Sequence, residues 1–485
     1  MLAPARAGVA RNASHLVLGQ IGTTAMAIAL SAALGRYLGA SDFGLFFLAT
    51  STAAFASVLV EWGQPAYVVR EVAREPARAG ELLGTALGLR LLGGAIVTVA
   101  TVAVLRALGY DARTLRFTAA LMVATLPFFL AQAYAMVFRG RERMDREAMV
   151  SVLNKALTLA ATFAALTLGL GLSGVVGALG LAGLVALVFA SVLLRRMGGS
   201  AARATAGAAR ELVVGGTPLV AMSLAIAVQG SIDAVVLSKL APADAVGWYG
   251  AARNVIGTLV APAAIIGTAA YPRLSRAVLE PASLAGEFQS ALRPLLALGA
   301  LGAVGTWLFA DVAISVVYGL GSFGPAVVIL QVFAPGMLLL FIDMLLSTVI
   351  LALGRSKALA AAKVLNVATC TALNMVLIPW CQARFGNGGI GVVLAFGASE
   401  LIMFGASLWI LPRGTVPRGS FADVARALAA GGGTLLLMLL VPRLPPLVAV
   451  PLAILVFGML GGLLGLLRRE DLELVRALLK RRTGA

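Results

Sequence analysis

Charge is scarce in this chain: 12% of its 485 residues are Asp, Glu, Lys or Arg, against roughly 25% in soluble domains. With 60% hydrophobic residues and a mean hydropathy of +0.97, the chain has far more apolar surface than a water-soluble globule of this size could bury. Histidine occurs once and cysteine twice, and the cysteines have no metal-ligand partners near them in sequence. Both thiols, Cys370 and Cys381, lie in one apolar stretch, a setting in which thiols are inert. Walker A, HExxH and GxSxG sequences are all missing, so ATP hydrolysis and triad chemistry lack their parts. No catalytic residue, cofactor or metal is expected. Energy for any work must come from a gradient, a partner or consumption of the product.

What the chain does have is apolar runs. A spanning helix needs roughly 20 consecutive apolar residues, and such runs recur along the whole sequence with short polar gaps. Fourteen spans are expected near 12–34, 43–63, 84–106, 115–138, 148–170, 173–194, 213–239, 247–271, 290–317, 326–353, 358–381, 388–411, 423–441 and 447–467. The first run exceeds the roughly 7 to 15 residues of a secretory signal core and is read as span 1. The fold class is therefore an all-α polytopic membrane protein.

The net charge of +17 would suggest nucleic acid in a soluble protein. Here its placement gives another meaning, because 27 Lys and Arg fall in one set of alternate loops and ends and 7 in the other. That is the positive-inside pattern, and it predicts cytoplasmic termini on a multi-pass protein of the bacterial inner membrane. No nucleic-acid partner is expected. The tail after 467 places Leu472, Val475, Leu478 and Leu479 on one face among Arg476, Lys480, Arg481 and Arg482, an amphipathic anchor for anionic lipid.

The second half repeats the first at an offset of 203 residues. Arg36 then meets Lys239, Gly44 meets Gly247, Phe46 meets Tyr249, Arg70 meets Arg273 and Arg90 meets Arg293. Val152-Leu153-Asn154 recurs as Val364-Leu365-Asn366 at an offset of 212. The expected organisation is two six-helix lobes, 1–196 and 197–412, related by a pseudo-twofold axis, followed by a helix pair at 413–467 and the cytoplasmic tail at 468–485. Transporters with such parallel repeats commonly bind substrate between the halves.

Ionisable side chains inside a bilayer cost free energy, so each is near an end, paired or facing water. Arg11 and His15 share a stripe of span 1 and form a candidate phosphate-binding mouth, since guanidinium grips phosphate in a bidentate fork. Snorkelling is the alternative for that arginine. Glu61 and Arg90 lie at similar depth in spans 2 and 3, as an ion pair or a gate. Asp233 and Arg253 face one another across a hairpin, where they either neutralise each other or leave Arg253, beside Asn254, to meet an anionic headgroup. Lys155 and Lys363 stand near the inner ends of spans 5 and 11, as headgroup ligands or snorkelling residues. Asp343 and Glu400 lie deepest, with no partner evident from sequence, and are candidates for proton or sodium coupling.

The stretch Gly35-Arg36-Tyr37-Leu38-Gly39-Ala40-Ser41-Asp42-Phe43-Gly44, followed by Glu61-Trp62-Gly63 and Val69-Arg70-Glu71, resembles the opening hairpin of polysaccharide-biosynthesis flippases. These belong to the multidrug, oligosaccharidyl-lipid and polysaccharide exporter superfamily. The resemblance in span number, charge pattern and repeat extends over essentially the whole chain. It implies a V-shaped, two-lobe transporter that moves undecaprenyl-pyrophosphate-linked oligosaccharide from the cytoplasmic to the periplasmic leaflet by alternating access. A polymerase and a chain-length regulator are the partners it implies, beside membrane lipids.

Related lipid II flippases use cavity arginines in spans 1, 2 and 8 and an aspartate near the start of span 2. Arg11, Arg253 and Asp42 match three of these positions, and Asp42 thereby joins the gating candidates. Span 2 carries no basic residue here, which fits an O-antigen or exopolysaccharide repeat unit better than lipid II. The rivals are a multidrug exporter of the same superfamily and a membrane glycan polymerase or ligase. Short external loops and the missing acid–base clusters argue against the enzymes.

Overall fold

The computed structural model describes residues 3–198, 202–441 and 444–467. Among them every regular element is helical. The α-helices are α1 (Ala3–Glu61), α2 (Gln64–Arg74), α3 (Ala79–Ala107), α4 (Ala112–Gly140), α5 (Met144–Thr167), α6 (Gly171–Arg196), α7 (Ala206–Leu240) and α8 (Ala243–Ala277). Then follow α9 (Pro281–Leu308), α10 (Ala310–Val317), α11 (Leu320–Phe323), α12 (Ala326–Ala352), α13 (Ser356–Phe385), α14 (Gly388–Ile410), α15 (Arg418–Leu440) and α16 (Pro446–Leu463).

Twelve helical segments among the described residues are long and apolar enough to cross a membrane. One of them, Gly22–Glu61, has 40 residues. At 1.5 Å per residue that is about 60 Å, twice the hydrocarbon thickness of a bilayer. It turns at Gly39, whose φ of 74° and ψ of 177° are open only to glycine, and so holds two spans. With α7, 35 residues long, the fourteen expected spans are all accounted for.

Two local features differ from expectation. The apolar run of span 9 predicts an unbroken helix to 317, but the helix breaks at Phe309 (φ −117°, ψ 22°) and restarts as α10. Between spans 2 and 3 the chain forms α2, which no apolar run announces because Arg70, Glu71 and Arg74 interrupt it. Gln64, Val68 and Val72, four residues apart, are its buried face, and Arg70 and Arg74 point outward. Trp62, at its entry, has a φ of 41°, a left-handed conformation that is costly for a bulky side chain.

Contacts divide the chain into two compact units, Met1–Gly250 and Ala251–Ala485, with the division falling inside α8. In the first unit α4 packs on α6, α5 on α6 and α1 on α5, and α7 joins them through α1, α2 and α3. Val68, Val72, Leu82, Leu83, Val137 and Phe138 form the main core there. In the second unit α12 lies against α9 and α14, α13 pairs with α14, and α15 and α16 lean on α9. Large apolar side chains such as Leu92, Val99, Leu184 and Val188 are more than half exposed, as expected of faces that meet lipid.

Candidate functional site

The 203-residue repeat has a physical counterpart inside the first unit. The second arm of α1 and the start of α8 cross so tightly that a Cβ on Gly44 would collide with the carbonyl of Ala243 and come within 2.9 Å of the Gly247 nitrogen. A Cβ on Gly247 would collide with the carbonyl of Ala40. Ala40 and Ala243 are themselves 203 residues apart, as are Gly44 and Gly247. Each glycine thus accepts the other copy's alanine carbonyl, the reciprocal arrangement that a twofold axis demands. One turn on, Gly250 lies against the Phe47 ring, 2.6 Å from a Cβ it does not have, and Phe47 meets Tyr249 edge-on at 6.0 Å.

Polar residues surround this crossing. Asp233, 2% exposed, accepts a hydrogen bond from the Tyr249 hydroxyl at 3.2 Å. Asp42 pairs with Arg113 at 2.7 Å. Tyr110, in the loop before α4, meets the Ser238 hydroxyl at 2.5 Å and carries the Lys239 ammonium 3.5 Å above its ring. Burial pushes the Tyr110 hydroxyl pKa above its ordinary value, against the opposing hydrogen bond with Ser238. Asp111 caps α4, and the Thr114 hydroxyl at 2.5 Å holds its carboxyl below the usual carboxylate range.

At the other end of α1 the expected pairing of Glu61 and Arg90 is present at 3.3 Å. Arg90 is 1% exposed; it also donates to the Phe129 carbonyl at 2.7 Å and to Gln64 at 3.4 Å, and stacks on the Phe129 ring. Nearby, Arg139 grips Glu147 with two hydrogen bonds. Lys155 is half-buried and Asn154 buried.

The second unit supplies two partners that sequence did not reveal. Asp343 is met by Lys363 at 2.6 Å, and Glu400 accepts from Asn366 at 3.0 Å. Neither carboxylate is therefore isolated, because α12, α13 and α14 are neighbours and bring together residues 20 and 34 positions apart. Arg253 is half-buried on α8, and its neighbour Asn254 donates to Tyr318 at 3.5 Å. Asp423, fully buried on α15, accepts from Gln289 at 2.8 Å, Arg293 at 3.0 Å and Arg426 at 2.7 Å. The side chains of Arg11 and His15, and the tail after 467, lie outside the described residues.

A second symmetric feature does not stand out in the apolar sequence. Asn154, Thr158 and Thr162 form one buried stripe on α5, and Asn366, Cys370 and Asn374 form another on α13. Every pair is 212 residues apart, the offset at which Val-Leu-Asn recurs. The Asn154, Thr162 and Asn366 side-chain oxygens lack a hydrogen-bond partner, a costly state for buried polar atoms unless water or an ion meets them. The spacing of four in a repeated segment was the available signal.

Residues 9–278 match the polysaccharide biosynthesis protein family. No curated protein sequence matches the chain. Among solved structures, the fold is similar to one described as the lipid II flippase MurJ in an inward closed conformation, with a TM-score of 0.75 at 14% identity, covering 93% of this chain and 98% of that one. It is also similar to a multidrug resistance MATE family transporter of the MOP superfamily in an inward-facing conformation, with a TM-score of 0.66 at 15% identity, covering 80% of this chain and 93% of that one. The chain thus shares its fold with these two membrane proteins.

Proposed function

Since the chain belongs to the polysaccharide biosynthesis protein family, we propose that it is a flippase carrying undecaprenyl-pyrophosphate-linked oligosaccharide from the cytoplasmic to the periplasmic leaflet of the inner membrane by alternating access. The observation that carries this reading is the reciprocal crossing of Gly44 and Gly247 in a helical fold shared with flippases. Two copies of one hairpin meeting on small residues form a contact that can close and part as a unit.

Arg253 is the residue we assign to the pyrophosphate, with Asn254 as a second donor. A guanidinium keeps its charge at any physiological pH and offers five donors to phosphate oxygens. Arg11, His15 and Lys155 are assigned the same headgroup. Lys363, held by Asp343, reaches it only when that pair opens. Glu61, Arg90, Asp42 and Asp233 are assigned to gating, because each holds a contact between two helices. Asp343 and Glu400 are assigned to coupling with a proton or sodium gradient. Outward movement of a doubly negative headgroup gains roughly 2.3 kcal/mol per charge per 100 mV from the membrane potential. A polymerase and chain-length regulator would take the product, and no catalytic step is assigned to this chain.

Replacing Arg253 by Ala should abolish surface glycan while membrane insertion and thermal stability persist. Normal glycan display in that variant would remove the assigned role. The multidrug reading shares the fold, and it predicts instead that deletion of the protein sensitises cells to cationic drugs and leaves surface glycan intact.

A further inference from the structure

The second arm of α1, together with α3 and α4, forms an open crevice of about 250 Å³ that none of the candidate site residues lines. Small residues make it: Ala54 on α1 and Gly94 on α3 stand where larger side chains would fill the seam. Four hydroxyl residues line it, yet none offers its donor to the interior. Thr50 donates to the Phe46 carbonyl at 2.8 Å, Ser57 to Ala54 at 2.8 Å, Thr98 to Gly94 at 2.7 Å and Thr125 to Leu121 at 2.9 Å. Each bond runs back along the residue's own helix, so the hydroxyl hydrogens are used up locally, and Gln132 is the remaining polar side chain in a mainly apolar lining.

Such a crevice, opening between apolar faces, takes apolar ligands. Its length narrows the choice. One end lies at Val60 and Phe129, beside the Glu61 and Arg90 pair, and the other at Thr50 and Leu121. Val60 lies ten positions after Thr50, or about 15 Å of helix, which is half of a hydrocarbon core roughly 30 Å thick. The cavity therefore spans one leaflet. Its flanks are apolar faces turned to lipid, with Leu92, Ile96 and Val99 on α3 and Val123 on α4 each more than half exposed.

We infer that this crevice is a binding site for one acyl chain of a membrane phospholipid, entering laterally from the leaflet in which Glu61 and Arg90 lie. A chain of that length matches the site end to end, whereas a long isoprenoid would overrun it at the bilayer centre. The bound chain fills the space left beside the direct contact of α1 with α3. The inference does not depend on what the protein transports.

The test is photolabelling of the full chain in nanodiscs of phosphatidylethanolamine and phosphatidylglycerol, doped with a phosphatidylglycerol that carries a diazirine near the end of one acyl chain. Label on Met122 and Thr98 should saturate at low probe fraction, while label on the open face at Leu92 should rise in proportion to it. Ala54→Phe should cut the Met122 label about tenfold, the change that roughly 1.4 kcal/mol of overpacking imposes on a bound chain, and leave the Leu92 label unchanged. Wild-type label at Met122 that is absent, or that climbs in step with Leu92, would overturn the site without reference to any variant. Displacement of the Met122 label by polyisoprenyl phosphate, with no displacement by unlabelled phospholipid, would overturn the choice of occupant.

Discussion

Gly44 and Gly247 each occupy the space where the other's hairpin presents an alanine carbonyl, Ala243 to the first and Ala40 to the second. All four residues obey one offset of 203. A side chain at either glycine must push the helices apart, and the two substitutions should act alike because the contact is reciprocal. Gly44→Leu and Gly247→Leu are each expected to destabilise the protein by roughly 1–3 kcal/mol, read as matching losses of melting temperature in detergent. Gly88, with open space around its Cβ position, serves as the control. Gly88→Ala should be neutral or stabilising by up to about 1 kcal/mol.

Arg90 is buried among Glu61, Gln64 and the Phe129 carbonyl. Removing the charge of Glu61 leaves a guanidinium inside the protein with neutral acceptors only. Glu61→Gln should therefore cost roughly 2–3 kcal/mol, at the lower end for a broken buried pair because two hydrogen bonds survive. Thermal unfolding of the purified variant checks this, and an unchanged midpoint would show that water reaches Arg90.

Arg293 is the repeat counterpart of Arg90, but the positions matching Glu61 and Gln64 are Ala264 and Gly267. The second copy has lost the partners, and Asp423 on α15 supplies the missing charge from outside the repeat. This gives the C-terminal helix pair a defined task in holding α9. Asp423→Asn should cost roughly 3–5 kcal/mol, since two arginines lose their counter-charge, and should open α15 to limited proteolysis. Arg426→Ala, at a side chain 39% exposed, should cost no more than about 1 kcal/mol.

Lys363 and Asp343 form one ionic pair at 2.6 Å. If the pair opens when a coupling ion binds, Asp343→Asn should change how transport varies with external pH or sodium, and Glu400→Gln should do the same beside Asn366. Transport rates measured across pH and sodium series decide the matter. Curves that superimpose on wild type would remove the coupling role from both carboxylates.

Hydropathy and loop charge locate the spans because the membrane imposes a length on each helix, and a constant offset exposes the repeat because Gly44 and Gly247 cannot be larger. The partners of Asp343 and Arg293 are hidden for a different reason. They come from α13 and α15, and no periodicity within one helix reports which neighbour it faces. The pairing of Glu61 with Arg90 is legible because consecutive antiparallel spans place residues of similar depth side by side. Helix α2 leaves little trace because its buried face is three residues, one of them Gln64.

Movement of a lipid-linked, pyrophosphate-bearing glycan is tested most directly by reconstitution. Purified protein would be placed in vesicles loaded with undecaprenyl-pyrophosphate oligosaccharide in both leaflets, and a membrane-impermeant lectin would report the fraction of glycan that reaches the outside. Wild type should carry inner-leaflet glycan to the lectin faster than empty vesicles do, and Arg253→Ala should match empty vesicles. Equal rates for wild type and empty vesicles, in protein shown to be folded and inserted, would rule out the flippase.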